Sequence, residues 1–195
     1  MSPSKVALGS VLITGGCGLL GHYVVKYLLS EGSKPEDLTV FDILITKNRF
    51  PGVHYITGDL SSKQDVLSAF STVRPNVIIN TASPDALSPN KSVFWKCNVT
   101  GVENIIACAQ EYGTRILVHT SSLEVVQDGY KDMIFVTEDA LVLENPVFGS
   151  VYAKSKAIGE KLVLSANREK GLLTCAIRLA TLMGEGDVVI TRHFM

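Results

Sequence analysis

Four glycines within seven residues, Gly15, Gly16, Gly18 and Gly21, limit what this chain can fold into more than any other feature. Three apolar residues, Val11-Leu12-Ile13, lead into them, and an amphipathic run starts at Leu19. That order predicts a strand, a tight turn and a helix start. Gly16, Gly18 and Gly21 fit G-x-G-x-x-G, and Gly15, Gly18 and Gly21 fit G-x-x-G-x-x-G. Glycine permits positive φ in the turn, close approach of backbone to a pyrophosphate, and tight packing of the helix on the strand. Free N–H groups and the dipole at the helix start favour phosphate charge. Alone, the pattern is equally a glycine-rich turn with no ligand. The strand before it, the helix after it and an acid, Asp42, twenty-one residues past Gly21 make it a dinucleotide site.

The rest of the chain alternates in the same way. Leu20, Val24 and Leu28, with Val25 and Leu29 beside them, predict a helix from Leu19 to Ser30 that stops at Gly32. Leu38 to Asp42 reads as a second strand. Asp42 is either a solvated strand-end carboxylate or the acceptor for the adenosine ribose hydroxyls. The second role would repel a 2′-phosphate and favour NAD over NADP. Val53 to Thr57 is a third strand, and Ser61 with Gln64 suits a capping box before a helix carrying Val66, Phe70 and Val73. Val77-Ile78-Ile79 is a fourth strand, apolar enough to be covered on both faces. A polar loop opens at Thr81-Ala82-Ser83-Pro84. A helix then runs from about Val93 to Tyr112, with Phe94 and Trp95 expected in the core. Arg115 to Thr120 is a fifth strand ending at Ser121-Ser122. A long stretch of little periodicity reaches Gly149, the kind of loop that is often functional. A helix is expected from Val151 to Lys170 on a stripe of Val151, Ile158 and Leu162, and a sixth strand from Thr174 to Leu179. Such alternation predicts an α/β fold, a Rossmann-type doubly wound parallel sheet with helices on both faces.

Composition excludes several classes. The net charge of −1 leaves no basic footprint for nucleic acid. The four cysteines, Cys17, Cys97, Cys108 and Cys175, contain no C-x-x-C and read as reduced, buried thiols in a cytosolic compartment rather than a disulfide frame or zinc site, with no metal site expected. Met1 to Ser10 has no long apolar core, so no signal peptide is expected. No apolar run approaches the ~18 residues of a membrane span. Peripheral membrane contact and a homodimer stay open.

Ligands in such sheets bind beyond the carboxyl ends of the strands. Gly15 to Gly18, Asp42, Asp59, Thr81 to Ser83, Ser121 to Ser122 and Leu179 to Thr181 lie there. Tyr152 and Lys156 sit four apart near a helix start, on one face. An ammonium near a phenol lowers its pKa from about 10, and the phenol can then serve as general base for an alcohol. Ser122 is a neutral donor for a substrate oxygen. By spacing alone, Tyr152 and Lys156 would most often be a surface pair, and Ser122 a turn hydroxyl.

Thr14-Gly15-Gly16-Cys17-Gly18-Leu19-Leu20-Gly21, Asp42, Gly58-Asp59-Leu60, Asn98-Val99-Thr100-Gly101, Thr120-Ser121-Ser122 and Tyr152-Ala153-Lys154-Ser155-Lys156 come in the order of the extended short-chain dehydrogenase/reductase superfamily. Phe41-Asp42-Ile43, Thr81-Ala82-Ser83-Pro84, Leu162 to Asn167 and Ile177-Arg178 resemble its 3β-hydroxysteroid dehydrogenase branch, and within it the sterol-4α-carboxylate 3-dehydrogenases. The resemblance implies NAD as cofactor, oxidation of a sterol or steroid 3β-hydroxyl, and loss of CO₂ where a 4-carboxylate adjoins the new ketone. It implies Tyr152 as base, Lys156 as ribose ligand and partner of Tyr152, and Ser122 as the group orienting the substrate oxygen. Gly15, Gly18, Leu19, Leu20 and Gly21 would hold the pyrophosphate. Asp59 and Leu60 would flank the adenine. Thr81, Ala82 and Ser83 would line the cofactor groove, and Asn98 would support the active-site backbone. A sterol substrate suggests a cytoplasmic protein at the endoplasmic reticulum surface.

The chain departs from that pattern in four places. Asn80 stands where the family often has His, Leu179 follows Arg178 in place of Pro, and Glu185 replaces Pro in Gly184-Glu185-Gly186-Asp187. Sixteen residues follow Leu179, where family members continue into a substrate-binding domain. Residues 1–183 are therefore expected to form the NAD-binding domain and 184–195 the start of a truncated substrate-binding region. Such a sheet would show an exposed edge or apolar patch. His193 has no assigned role. Another extended member, such as a nucleotide-sugar epimerase or carbonyl reductase, and a non-catalytic dinucleotide-binding regulator or inactive truncated form are the alternative functions.

Overall fold

Six short apolar runs become six parallel strands. They are β1 (Val11–Thr14), β2 (Leu38–Asp42), β3 (His54–Thr57), β4 (Val77–Asn80), β5 (Ile116–Ser122) and β6 (Leu173–Leu179). The computed structural model describes residues 7–146 and 150–185. The strands order as β3-β2-β1-β4-β5-β6, the doubly wound arrangement expected from the alternation. Thr14, Phe41 and Asn80 share one register row across β2, β1 and β4, and His119 continues it on β5. Four helices connect or flank the strands: α1 (Leu19–Ser30), α2 (Lys63–Val73), α4 (Gly101–Tyr112) and α5 (Val151–Ser165). A short α3 (Ser92–Trp95) joins α4 through a π turn, Lys96–Thr100.

Alternation within each strand builds two cores. Val11, Ile13, Leu38, Val40 and Val77 pack with Val25 of α1 on one face. Leu12, Phe41, Ile78 and Leu117 pack on the other with Val66 and Phe70 of α2, Val102 and Ile105 of α4, and Val163 of α5. On the α1 face, Leu173 and Ile177 of the edge strand β6 are 53% and 47% exposed. They lie opposite Ile116 and Thr120 of β5 in the register. Among the described residues no helix is long and apolar enough to cross a membrane.

Several local expectations are corrected. α2 is capped by Ser62, whose Oγ accepts from Asp65 N (3.3 Å) and donates to Asp65 Oδ1 (2.8 Å). Ser61 cannot serve as the cap, because its N–H and hydroxyl both go to Asp59 Oδ1 (2.8 and 2.9 Å). Phe94 is in the core, but Trp95 is 37% exposed; of the four thiols expected to be buried, Cys17 and Cys108 are, Cys97 is half-buried, and Cys175 on the edge strand β6 is exposed. α5 ends at Ser165, not Lys170: Arg168 and Lys170 take left-handed φ of 68° and 47°. The buried side of α5 is not the stripe of Val151, Ile158 and Leu162. It is Ala153, Ser155, Lys156, Ala157, Gly159, Glu160 and Val163, a small and polar set. Gly159 lies on this side because a Cβ there would collide with the Asn98 carbonyl oxygen of the π turn. Expectations for Gly149, Gly186, Asp187 and His193 fall outside the described residues.

Candidate active site

The glycine turn sits at the end of β1. Gly15 has φ +71°, and a Cβ there would lie 2.6 Å from Ala82 Cα, so side chains are excluded on conformation and space. Thr81 secures the turn from below, its N–H and hydroxyl both donating to Thr14 O (3.0 and 2.7 Å). Gly18 is the N-cap of α1 and offers no side-chain cap, and the first turn carries no acid. The opening N–H groups of α1, at Leu19, Leu20 and Gly21, thus receive no cap from Gly18 and no first-turn carboxylate, a fitting anion site. Asp42 closes the other side. Its Oδ2 accepts from Cys17 N (3.0 Å) and its Oδ1 from Leu44 N (3.2 Å), which fixes the carboxylate against the turn. A dinucleotide fits these residues: a close-approach turn, uncapped amides and an acid held at the end of β2.

Asp59 is exposed beyond β3, its Oδ1 occupied by Ser61. Leu60 has its side chain buried in the core and its carbonyl accepting from Asn104 Nδ2 (2.8 Å). Ala82 N donates to Asn80 Oδ1 (3.3 Å), and Ser83 is exposed at the loop start. After β6, Glu185 O accepts from Tyr23 Oη of α1 (3.1 Å).

At the end of β5 and the start of α5 the structure brings Ser122, Ser83 and Tyr152 together. Burial holds the Tyr152 phenol above its ordinary value. Hydrogen bonds from Ser122 and Ser83 oppose this, and Glu124 adds to it. Phe94 meets the Tyr152 ring edge-on at 5.8 Å. The expectation that Lys156 lowers this phenol is not met. The phenol stands above its ordinary value, and Lys156 Nζ donates to Thr120 O (2.9 Å). Full burial pushes Lys156 itself down to about 8. Asn98, brought inward by the π turn, donates from Nδ2 to Ser155 Oγ (3.0 Å). Ser155 in turn donates to Tyr152 O (2.8 Å).

Two buried polar groups escaped sequence reasoning. His119 faces Asn80, with Nδ1 2.9 Å from Asn80 Nδ2, while Thr14 Oγ1 donates to Asn80 Oδ1 (2.6 Å). A lone His inside the apolar run of β5 was the available signal. Glu160, 1% exposed, accepts from Arg178 Nε (3.0 Å) and Nη2 (2.8 Å) and from the Ser121 hydroxyl. Arg178 Nη1 also donates to Glu138 O (3.2 Å), tying the long loop to β6. A buried acid needs such a partner. Lys and Glu four apart on α5 gave no hint that both are buried.

Comparison with known proteins is consistent with this arrangement. The chain is 35% identical over 192 residues to 3 beta-hydroxysteroid dehydrogenase type 7 of Mus musculus, covering 92% of this chain and 52% of that protein. It is 36% identical over 176 residues to the decarboxylating sterol-4-alpha-carboxylate 3-dehydrogenase of Homo sapiens, covering 90% and 45%. The chain thus spans about half the length of these relatives. Among solved structures, the Thermus thermophilus UDP-glucose 4-epimerase complex with NAD superposes with a TM-score of 0.76 at 26% identity, covering 87% of this chain and 54% of that one. The sequence pattern of the 3-beta hydroxysteroid dehydrogenase/isomerase family matches residues 12–195, and the chain belongs to that family.

Proposed function

We propose that residues 1–183 form the NAD-binding unit, and 184–195 the opening of the substrate region, of an NAD-dependent dehydrogenase that oxidises a sterol or steroid 3β-hydroxyl. A 4α-carboxysterol that loses CO₂ is the specific substrate class. The reading is carried by the Tyr152 phenol lying against Ser122 and Ser83, on the helix that also bears Lys156. The α1 amides at Leu19, Leu20 and Gly21 would hold the pyrophosphate, with Gly15 and Gly18 allowing it close. Asp42 would take the ribose, Asp59 and the Leu60 backbone the adenine, and Thr81, Ala82 and Ser83 the nicotinamide side. NAD, when bound, supplies the hydride acceptor. Ser122 donates to the substrate oxygen while Tyr152 takes its proton. The buried phenol is held above its ordinary value, so it needs a cation nearby to act near neutral pH. Lys156, released from Thr120 O, is the cation on its own helix. Asn98 keeps Ser155 and the first turn of α5 in place. The relatives' names support the sterol class. An apolar sterol is met at a membrane surface, so the reading places a cytoplasmic protein in peripheral contact with the endoplasmic reticulum.

The test supplies the protein with NAD⁺ and 3β-hydroxysterols, with and without a 4α-carboxylate, and follows NADH. Tyr152→Phe should lose ~10²–10⁴-fold in rate with NAD⁺ affinity nearly unchanged by calorimetry. NADP⁺ should bind more weakly than NAD⁺, because Asp42 repels the 2′-phosphate. Full activity in Tyr152→Phe, or epimerisation of a UDP-hexose without net NADH, would overturn the reading.

A further inference from the structure

The loop 43–53 between β2 and β3 passes beside the glycine turn, and its Asn48 reaches in. Asn48 Nδ2 donates to Cys17 O (2.8 Å). A carbonyl only accepts, so the amide nitrogen is the end of Asn48 that faces it. Asn48 also takes a left-handed φ of 56°, uncommon outside glycine, although asparagine bears it better than most residues. Its own carbonyl lies 3.3 Å from His22 Nδ1 of α1, and that nitrogen is the donor for the same reason. Phe50 anchors the loop two residues on. Its ring stacks on His22 at 4.7 Å with 19° between the planes, and its N–H donates to Tyr55 Oη of β3 (2.8 Å). Asn48 itself is exposed, so burial does not account for its conformation. A sparsely populated backbone conformation held by specific partners points to a role at the site it touches.

Cys17 is buried, and both peptide planes that flank it are fixed. The Gly16–Cys17 peptide gives its N–H to Asp42 Oδ2 (3.0 Å). The Cys17–Gly18 peptide is tied at both ends. Its carbonyl accepts from Asn48, and its N–H, on Gly18, donates to Gly15 O (3.0 Å). Gly18 is the N-cap of α1. The carboxylate at the end of β2 and the opening of α1 therefore meet at Cys17, and the loop holds that residue through the Asn48 side chain.

We propose that Asn48 is a positioning residue for cofactor selectivity: by holding the Cys17 carbonyl it keeps the Cys17 N–H on Asp42, and so keeps the carboxylate set to accept from a ribose and to repel a 2′-phosphate. Without this bond the Cys17–Gly18 peptide turns and Asp42 Oδ2 loses its fixed donor. Leu44 N still holds Oδ1, and the carboxylate pivots about it. Ribose hydrogen bonds then weaken, and a 2′-phosphate meets less opposition. The inference rests on the reading of Asp42 as the ribose ligand.

Asn48→Gly is the direct variant, because glycine takes a left-handed φ without strain and the side-chain donor alone is removed. NAD⁺ and NADP⁺ affinities are measured by calorimetry at one salt concentration. NAD⁺ affinity should fall ~3–10-fold and NADP⁺ affinity change by less than ~2-fold, so the preference for NAD⁺ narrows. A residue that merely stabilises the loop would weaken both cofactors alike, so an unchanged ratio overturns the proposal. Hydrogen exchange followed by NMR reads the turn without cofactor. In Asn48→Gly the Cys17 amide should exchange ~10-fold faster, while the Gly15 amide, which donates to Phe41 O (2.9 Å), keeps its rate. An unchanged Cys17 rate, or equal acceleration of both amides, refutes the proposal. Asp42→Asn tests the reading beneath it. If that variant leaves the preference for NAD⁺ as it was, the ribose reading of Asp42 fails, and the inference with it. If Asp42→Asn narrows the preference while Asn48→Gly does not, only the inference fails.

Discussion

Lys156→Met should make the protein more stable while weakening its hold on NAD. The wild-type lysine is 2% exposed, and its Nζ donates to Thr120 O at 2.9 Å. Its move from 10.5 to about 8 corresponds to about 3 kcal/mol by which burial disfavours the charged form. Met keeps the stem's volume and removes the charge. Losing the hydrogen bond to Thr120 O returns about 1 kcal/mol. The variant should therefore be about 2 kcal/mol more stable at pH 7, raising Tm by ~4–8 °C. The sign of the pH effect follows from linkage. Between about 8 and 10.5 the unfolded chain keeps a proton that the folded protein has released, so wild-type stability rises with pH there. The variant's advantage is full below about 8 and fades as pH approaches 10.5. Thermal and urea melts of both proteins across that range measure it. A variant less stable at pH 7, or a difference that does not change with pH, would refute the reasoning.

Arg178→Met leaves the Glu160 carboxylate buried with the Ser121 hydroxyl as its remaining side-chain donor, and should cost about 3–5 kcal/mol in urea denaturation. Adding Glu160→Gln should recover most of that loss, and a cost near zero for Arg178→Met would contradict the burial of the pair. Gly159→Ala should cost about 1–3 kcal/mol in thermal melts by pressing α5 off the Asn98 carbonyl. A gain of about 1 kcal/mol, as helix propensity alone gives, would show that the two elements do not cross this closely.

The strands and the glycine turn were legible because both depend on local pattern. β2 and α1 begin and end at the residues that periodicity predicts, Leu38–Asp42 and Leu19–Ser30. Ser122, Tyr152 and Lys156 stand out in the sequence as candidate residue types at a known spacing, but their electrostatics do not. Which acceptor an ammonium finds depends on strands far away in sequence, and here Thr120 O on β5 holds Nζ. α5 misled for a related reason. Its apolar stripe is only partly buried, and its inward face carries Ser155, Lys156 and Glu160. Hydrophobic periodicity cannot locate a face buried through ion pairs and hydrogen bonds. Asn80 drew notice as a departure from the family. Its meaning needed the register, which sets it beside His119.

The π turn at Lys96–Thr100 has a consequence for how this site tolerates insertions and deletions. It holds one residue more than an α-turn would. Each α-helical residue advances about 100° around the axis. A one-residue deletion within 96–100 would restore regular winding, and the downstream core residues Val102, Ile105 and Cys108 would keep their seats. The upstream segment would then swing by roughly that angle. Phe94 would leave the edge of the Tyr152 ring, and Asn98 would leave Ser155. The fold could survive such a deletion while the site lost its alignment. Length in this one turn works as an angular setting, and substitutions elsewhere in the helix cannot reset it.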